Sequence, residues 1–393
     1  MKRKSLVHLS LIAVVTVLAS SALAQTYTTF PPGNGQNPQA GVTIKGDLIY
    51  GTTALGGKGS GVVYELTRLG NLFSFDNTHS TGPEARVVFG PDGHLYGTYN
   101  DFGGFVFVLT PQPTFCKTAN CQPWKATVLH TFEFPDGVQP LHGDLVWDQQ
   151  GNIYGTTMFG GNGDLGAVYE MMPPVPPSQT WTEKVIWNFG GPDGEFPQSG
   201  VIFDGNGNLL GTALQGGAFG LGDVFQLTPS GNGWVKSNIY SFRNDTDGFF
   251  PIAGLAMDSS GNLFGATSDG GSAGGGTAFE LIRSGSTYTY KLLFSFSGQS
   301  QRGCGPRGTL TLDAAGNLYG TTYCDGVNNL GSVFKLTNTQ NGWVYTSLHD
   351  FPGFTGDINS PISNVSIDAQ GNLWGTASAG GANDGGGVWR ITP

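Results

Sequence analysis

A seven-fold internal repeat constrains the fold of this chain more than any other feature. The clearest copies contain the string Gly-Asn-Leu-Tyr-Gly-Thr-Thr, and the second glycine of that string recurs at Gly51, Gly97, Gly155, Gly211, Gly265, Gly320 and Gly375. Most of the spacings are about 54 to 58 residues, a period typical of propellers and other repeat arrays. The repeat therefore predicts an array of similar structural units.

Each unit contains the pattern of four strands. In the copy that runs from Thr309 to Phe351, a short, half-apolar segment at 309–313 is the first strand, and turn residues at 313–317 connect it to a second strand at 318–322. Glycine-rich and Asn-Gly turns then separate two further strands. Phe334 and Leu336 point to one face of the third strand and Val333 to the other, as a sheet packed between two neighbours requires. With 65 glycines, 22 prolines and no long helical periodicity, the chain is predicted to be all-β, a seven-bladed β-propeller with four antiparallel strands per blade.

The two ends of the sequence complement each other. Six fourth strands end in a phenylalanine, and the seventh such pattern is Tyr27-Thr28-Thr29-Phe30, whereas the C-terminal repeat stops after a third strand. We therefore predict that the N-terminal strand closes the last blade. Aromatic residues eight positions before these phenylalanines are predicted to pack in the core: Trp124, Trp181, Trp234, Tyr288 and Trp343.

The first 24 residues have the pattern of an export signal. Lys2, Arg3 and Lys4 precede an apolar run at 6–18 that is too short to span a bilayer, and Ala22-Leu23-Ala24 offers small residues for cleavage. We expect residues 1–24 to be a signal peptide and residues 25–393 a single propeller domain, secreted or periplasmic and without an anchor. The net charge of −10 disfavours nucleic acid and anionic membranes as partners.

The repeated motifs also resemble a known family. Gly-Asn-Leu-Tyr-Gly-Thr-Thr, a Gly-Gly loop, Val-Phe-Lys-Leu-Thr and a later Asp-Gly-x-x-Pro turn are similar to the GloVer tandem-repeat family of exported bacterial proteins. The resemblance covers almost the whole chain after residue 24. It implies a secreted bacterial propeller and brings no active site with it.

Two groups of residues are candidates for ligand binding. On the rim formed by the loops between blades, acids and aromatic rings suit sugar binding: Asp136, Asp193, Asp247, Phe196 and Phe249. Asp-Gly turns and packed rings would explain the same residues without a ligand. Near the starts of the first strands, six residues before a hairpin aspartate, Arg86, His142 and Arg307 break the repeat and would converge on the channel mouth. They could hold a carboxylate, sulfate or phosphate, or pair with rim acids.

The remaining chemistry-bearing residues have structural explanations. Six hairpin aspartates recur (Asp92, Asp148, Asp204, Asp258, Asp313 and Asp368), which predicts that they cap the turn before Gly-Asn. The four cysteines are predicted to pair as Cys116 with Cys121 and Cys304 with Cys324. No metal-binding motif or cofactor fingerprint is present, so neither a metal site nor a cofactor is predicted.

These observations favour a non-catalytic exported propeller that binds an extracellular ligand, either a polysaccharide or another surface protein. The alternative is a glycan hydrolase or lyase with its site at the channel mouth, in which rim acids react and Arg86, His142 or Arg307 holds an anionic substrate. A third hypothesis is an assembly protein without a small ligand. The sequence leaves the identity of the ligand and the oligomeric state open.

Overall fold

The computed structural model describes residues 25–67, 70–76, 81–112, 122–231, 233–243, 246–297, 303–353, 356–381 and 383–393. Within these ranges the regular structure consists of β-strands, with no α-helix. Accordingly, the described part of the chain contains no apolar helix of membrane-spanning length. The predicted signal peptide at 1–24 lies outside the described residues.

The strands form seven antiparallel sheets arranged as the blades of a β-propeller, which confirms the predicted fold. From the channel outwards the blades consist of Thr43–Lys45, Leu48–Thr53, Gly59–Glu65 and Gly70–Asp76 (blade 1); Val88–Phe89, Leu95–Tyr99, Phe105–Pro111 and Trp124–Thr131 (blade 2); Val146–Trp147, Ile153–Thr157, Ala167–Met172 and Thr182–Asn188 (blade 3); Ile202–Phe203, Leu209–Ala213, Asp223–Ser230 and Gly233–Ser241 (blade 4); Ala256–Met257, Leu263–Thr267, Thr277–Ser284 and Thr287–Ser295 (blade 5); Thr311–Leu312, Leu318–Thr322, Ser332–Thr339 and Gly342–Asp350 (blade 6); and Ser366–Ile367, Leu373–Ala377, Gly387–Thr392 and Thr26–Phe30 (blade 7). Two short pairs, Gly35–Gln36 with Leu55–Gly56 and Ile358–Asn359 with Ala379–Gly380, lie in the loops.

The N-terminal strand closes blade 7, as predicted. Thr26–Phe30 pairs antiparallel with Gly387–Thr392, and Tyr27 lies opposite Ile391. The ring then closes because Ser366 and Thr376 of blade 7 donate hydrogen bonds to the carbonyl oxygens of Val42 (2.6 Å) and Ala40 (2.8 Å), which precede the first strand of blade 1.

The core consists of seven apolar clusters, and each lies between two neighbouring blades. The aromatic residues predicted to be core pack against these clusters; Trp234 of blade 4, for example, packs on the cluster shared with blade 3. Both faces of each blade are therefore buried, which explains why the third strands carry apolar residues on both faces.

The repeat glycine makes room for an aromatic ring. Gly211 pairs across the sheet with Phe225 of the third strand, and a Cβ at Gly211 would lie 2.6 Å from Phe225 Cζ. The same contact recurs in every blade, with a tyrosine, phenylalanine or tryptophan opposite the glycine. Only glycine lets the ring lie flat against the neighbouring backbone and fill the space between blades.

The threonine after this glycine connects consecutive blades. Thr156 Oγ1 donates to the carbonyl oxygen of Ser199 in the next blade at 2.7 Å, and Thr321 Oγ1 donates to that of Ser363 at 2.7 Å. Equivalent bonds are made by Thr52, Thr212 and Thr376. The Gly-Thr pair in the repeated string thus fixes both the packing within a blade and the contact with the next blade.

The hairpin aspartates cap the turn between first and second strands, as predicted. Asp204 Oδ1 accepts hydrogen bonds from the backbone N–H groups of Asn206 (2.8 Å) and Asn208 (2.9 Å), and Asn208 Nδ2 donates to Oδ2 at 2.9 Å. The same pattern surrounds Asp148, Asp258, Asp313 and Asp368.

Blade 2 departs from this register. The bond from Asp204 N–H to the Asn208 carbonyl oxygen in blade 4 is replaced by one from Gly90 N–H to the His94 carbonyl oxygen. Asp92 therefore lies two residues later in its hairpin, although its carboxylate still accepts a bond from the Tyr96 hydroxyl at 2.8 Å. Counting back from Asp92 was wrong by two residues, and Arg86 corresponds to Asp144 of blade 3, not to His142.

We predict that Gly211→Ala destabilises the protein, because the new methyl group would overlap the Phe225 ring. Overpacking of this kind costs about 1 to 3 kcal/mol of unfolding free energy, measurable by urea denaturation. Gly205→Ala is the matched control, since nothing lies within 4 Å of a Cβ at Gly205, and its unfolding free energy should change by less than about 0.5 kcal/mol. Equal effects of the two substitutions would contradict the role given to the repeat glycine.

A second prediction concerns acid stability. Burial alone would raise the pKa of Asp204, but the hydrogen bonds from Asn208 and Asn206 outweigh it and lower that pKa. The folded state therefore binds the proton less tightly than the unfolded state, whose pKa is about 3.9. The stabilisation is fully present above that value and is lost as the pH falls through the folded pKa.

Asp204→Asn should consequently be less stable than the native chain at neutral pH, and the difference should shrink as the pH falls below about 4. Urea unfolding from neutral to acid pH measures this difference. Asp47→Asn removes a charge from an exposed position and serves as the control. A difference between native chain and Asp204→Asn that does not depend on pH would exclude this explanation.

Candidate functional site

The first strands and the loops before them surround a cavity of about 440 Å³ at one mouth of the central channel. The hairpin register places side chains around it in two rings. The mouth ring contains the residues six positions before the hairpin aspartates, or before Gly90 in blade 2: Glu84, His142, Gln198, Ile252, Arg307 and Ile362. The throat ring contains the residues four positions before the same points: Arg86, Asp144, Gly200, Gly254, Thr309 and Asn364. Arg86, His142 and Arg307, the three basic residues singled out in the sequence, all line this cavity.

Arg86 is held by an acid from the next blade. Its guanidinium contacts the carboxylate of Asp144, with Nε 3.1 Å from Oδ2 and Nη2 bonded to the same oxygen. Burial acts to lower the pKa of Arg86, but attraction to Asp144 outweighs it and raises the pKa. The pair is possible because the two residues occupy the same ring position in neighbouring blades.

Arg307 has a different environment. Its guanidinium lies 4.0 Å from the centre of the Tyr323 ring and donates to the carbonyl oxygen of Gly303 through Nε (3.2 Å) and Nη2 (3.1 Å). Among the described residues no carboxylate lies within ion-pair distance of it. Burial lowers its pKa, yet an arginine remains charged at neutral pH. Asp269 attracts this guanidinium from beyond ion-pair distance, so the cavity wall of blade 6 carries a positive charge that no carboxylate of the described residues contacts directly.

His142 lies beside the Arg86 pair. Its Nδ1 is 3.4 Å from the carbonyl oxygen of Glu84. When Nδ1 carries the proton and donates to this oxygen, Nε2 is the basic atom of the neutral ring. In a ring of seven blades the boundary of blades 2 and 3 faces blade 6, so His142 and Arg86 lie across the mouth from Arg307.

A disulfide positions the loop that contains Gly303, whose carbonyl oxygen accepts the hydrogen bonds from Arg307. Cys304, in the loop before blade 6, is bonded to Cys324, after its second strand, with Cα atoms 4.5 Å apart. The predicted pairing is confirmed, and so is the placement of both loops on one rim. The predicted Cys116–Cys121 pair lies outside the described residues.

The five rim candidates lie away from the cavity, between the outer parts of neighbouring blades. Asp247 is buried and accepts bonds from the Tyr240 hydroxyl (2.7 Å) and the Arg243 N–H (3.1 Å). Asp193 accepts from Trp187 Nε1 at 3.0 Å and from the Gly190 N–H at 2.8 Å.

The rim rings and the remaining acid also have neighbours within the chain. Phe249 is buried against Phe250, and Phe196 packs edge-on to Phe159 with ring centres 5.3 Å apart. Asp136 lies beside His130 and Glu183. A role of these five residues in ligand binding remains a prediction.

The sequence missed two residues of the site. Asp144 stands where blades 4 and 5 have glycine, so its departure from the repeat was a signal, but the shifted hairpin of blade 2 hid its partner. Tyr323 follows a Gly-Thr-Thr string and gave no signal, because only the fold brings its ring under Arg307.

The fold and repeats define a tandem-repeat β-propeller. Residues 103–290 and 235–393, together well over half of the sequence, match the model of the Gloeobacter/Verrucomicrobia repeat, and the chain belongs to this family. The resemblance seen in the sequence is thereby confirmed. No curated protein matches the sequence.

Several solved structures share the fold. An ulvan lyase of polysaccharide lyase family PL25 superposes with a TM-score of 0.51 at 12% identity, over 93% of this chain and 95% of the lyase. The lyase bound to -[GlcA(1-4)Rha3S]- gives 0.50 at 12% identity over the same shares. A carbohydrate-active enzyme of family AA12 from Trichoderma reesei gives 0.42 at 12% identity, over 91% of this chain and 98% of that chain. At these identities the similarity to the lyase shows the fold alone.

The ion pair at the cavity can be measured by a double-mutant cycle. We predict a coupling of about 1 kcal/mol between Arg86→Ala and Asp144→Ala in the free energy of unfolding, because the pair makes two charge-assisted hydrogen bonds and both side chains are partly buried. The pair Arg307→Ala and Asp144→Ala is the control and should show coupling near zero. A negligible coupling for the first pair would mean that Asp144 does not neutralise Arg86.

Proposed function

We propose that the protein binds an anionic saccharide, a uronate- or sulfate-bearing segment of an extracellular polysaccharide, at the channel mouth. The observation that carries the proposal is Arg307, a partly buried guanidinium on the cavity wall with no carboxylate partner among the described residues. A guanidinium in such a position presents donors that match a carboxylate or sulfate.

The size and lining of the cavity support a saccharide. Its volume of about 440 Å³ is in the range of small-molecule sites. Besides the charged groups, its wall offers amide and hydroxyl side chains suited to sugar hydroxyls: Gln39, Gln198, Ser363, Asn364 and Thr309. One anionic group at Arg307 and neutral hydroxyls elsewhere would use both kinds of donor and acceptor.

The nature and place of the ligand have further support. The structural neighbours include a lyase bound to a unit of glucuronate and sulfated rhamnose, which is an anionic saccharide. The Cys304–Cys324 disulfide suits an oxidising compartment, and the signal-like residues 1–24 favour export. An extracellular polysaccharide is the ligand class that agrees with these three observations.

Catalysis at the same cavity is the second candidate. The specific observation in its favour is His142 beside Arg86 and Asp144 in one cavity. In a lyase reaction an arginine would neutralise the uronate carboxylate and His142 Nε2 would take the proton adjacent to it. The bond between C4 of the uronate and the glycosidic oxygen would then break, leaving a C4–C5 double bond in the uronate. The departing oxygen would take a proton from the His142 imidazolium or from water and become an alcohol on the leaving sugar.

The deciding experiment incubates the purified protein with sulfated and unsulfated uronate polysaccharides and with neutral glucans. The amount of protein retained by each polysaccharide and its affinity for that polysaccharide measure binding. Ultraviolet absorbance of unsaturated uronate ends measures lyase cleavage. We expect anionic polymers to be retained and neutral ones not. Equal retention of neutral glucans, or no retention at all, would reject the proposal.

Arg307→Ala should weaken binding of the anionic polymer at least tenfold, since one charge-assisted bidentate contact contributes about 1.4 kcal/mol or more. Arg283→Ala is the matched control, because Arg283 begins the outer hairpin of blade 5 far from the cavity. Unsaturated ends that His142→Ala abolishes would establish the lyase. Unchanged affinity in Arg307→Ala would rule out the site.

A further inference from the structure

The outer strands of neighbouring blades meet in a recurring pair of residues. The first residue of the pair lies on the fourth strand of one blade, two positions before the phenylalanine that follows this strand. The second residue lies on the fourth strand of the next blade, where it pairs across the sheet with an apolar residue of the third strand. At three blade interfaces the pair is a ring stack, with ring centres 4.7, 4.5 and 3.7 Å apart: Tyr240 with Tyr290, Phe294 with Tyr345, and His349 with Tyr27. Aromatic packing thus recurs at this position.

The interface of blades 2 and 3 contains a different pair. His130 and Glu183 occupy the two positions, and Asp136 from the connecting loop lies next to them. One imidazole nitrogen and one oxygen of each carboxylate all lie within 4.8 Å of one another. Three side chains of metal-ligating type thus occupy this interface in place of a ring stack.

The loop aspartate behaves differently here as well. At the next two interfaces it accepts a hydrogen bond from the residue two positions before the phenylalanine: Asp193 accepts from Trp187 Nε1 at 3.0 Å, and Asp247 accepts from the Tyr240 hydroxyl at 2.7 Å. His130 Nε2 and Glu183 Oε1, in contrast, are both inaccessible to solvent and have no hydrogen-bond partner among the described residues. Leaving two such atoms unsatisfied is costly, so a further group should satisfy them.

We infer that His130, Asp136 and Glu183 bind a divalent transition-metal ion of the Zn²⁺ class. Nitrogen and carboxylate ligands of Zn²⁺ lie about 2.0 to 2.2 Å from the ion and hence roughly 3.5 Å from one another, a spacing that small side-chain rotations would reach from the observed one. An imidazole ligand favours Zn²⁺ over Mg²⁺ and Ca²⁺, which prefer oxygen.

The ion would connect three separate pieces of the ring. His130 belongs to the outer strand of blade 2, Asp136 to the loop between blades, and Glu183 to the outer strand of blade 3. Because Glu183 lies far from His130 and Asp136 in the sequence, the three residues form no known metal-binding motif, and the sequence predicted no metal. The site is also distinct from the channel-mouth cavity, since none of the three residues lines that cavity.

The test is a titration of the purified chain, produced without a histidine tag and stripped of metal with a chelator, with Zn²⁺ by calorimetry. We expect one equivalent to bind through these residues and the unfolding temperature to rise with Zn²⁺ concentration. His130→Ala and Glu183→Gln should each lower the affinity at least tenfold and abolish the thermal shift. Absence of Zn²⁺ binding to the native chain would overturn the inference.

His349→Ala is the matched control. His349 occupies the same strand position on blade 6 and faces Tyr27 instead of a carboxylate, so this variant should keep the equivalent. Cys116→Ser with Cys121→Ser should keep it too, which excludes thiolate binding. If His130→Ala fails to fold, Glu183→Gln still tests the site, because glutamine has nearly the same size as glutamate. Unchanged Zn²⁺ affinity in Glu183→Gln, or Ca²⁺ binding in place of Zn²⁺, would refute the site.

Discussion

The contact between the repeat glycine and the aromatic ring of the third strand is the constraint on which the rest of this propeller depends. The ring lies over a backbone that has no side chain, so it extends into the space between blades. That ring forms part of each apolar cluster between blades and sets how closely two sheets approach. In five of the seven blades the threonine that follows the glycine also bonds the next blade. The glycine–ring contact itself recurs in all seven blades of the closed ring.

The sequence predicted those features of the fold that depend on local interactions. The strand pattern, the capping aspartates, the closing N-terminal strand and the Cys304–Cys324 bridge all follow from local chemistry that recurs along the chain or from simple complementarity of its ends. The prediction failed in blade 2, where Asp92 moved two residues along its hairpin while keeping its bond to Tyr96. Backbone hydrogen bonds determine the register there, and they cannot be read from the position of one acid.

The candidate site was predictable only in part. His142 and Arg307 break the repeat and were identified for that reason, whereas Tyr323, which lies under Arg307, looks like ordinary loop sequence. The chain as a whole is acidic, so long polyanions lying along its surface are repelled. A concave mouth with one arginine paired to Asp144 and one without an ion pair among the described residues would, on the proposed function, instead accept a short anionic segment, whose other contacts are made by neutral groups.

Closure of blade 7 by Thr26–Phe30 and Gly387–Thr392 has a consequence for how the protein is made. Six blades consist of consecutive strands and can assemble as they emerge, but the seventh requires segments separated by more than three hundred positions in the sequence. During synthesis the early strand remains without a partner, and its exposed edge is open to pairing with other chains. The ring reaches its final resistance to unfolding only when the last strand has paired. A prematurely terminated chain would therefore have an unpaired strand edge, by which quality control could distinguish it from the finished protein.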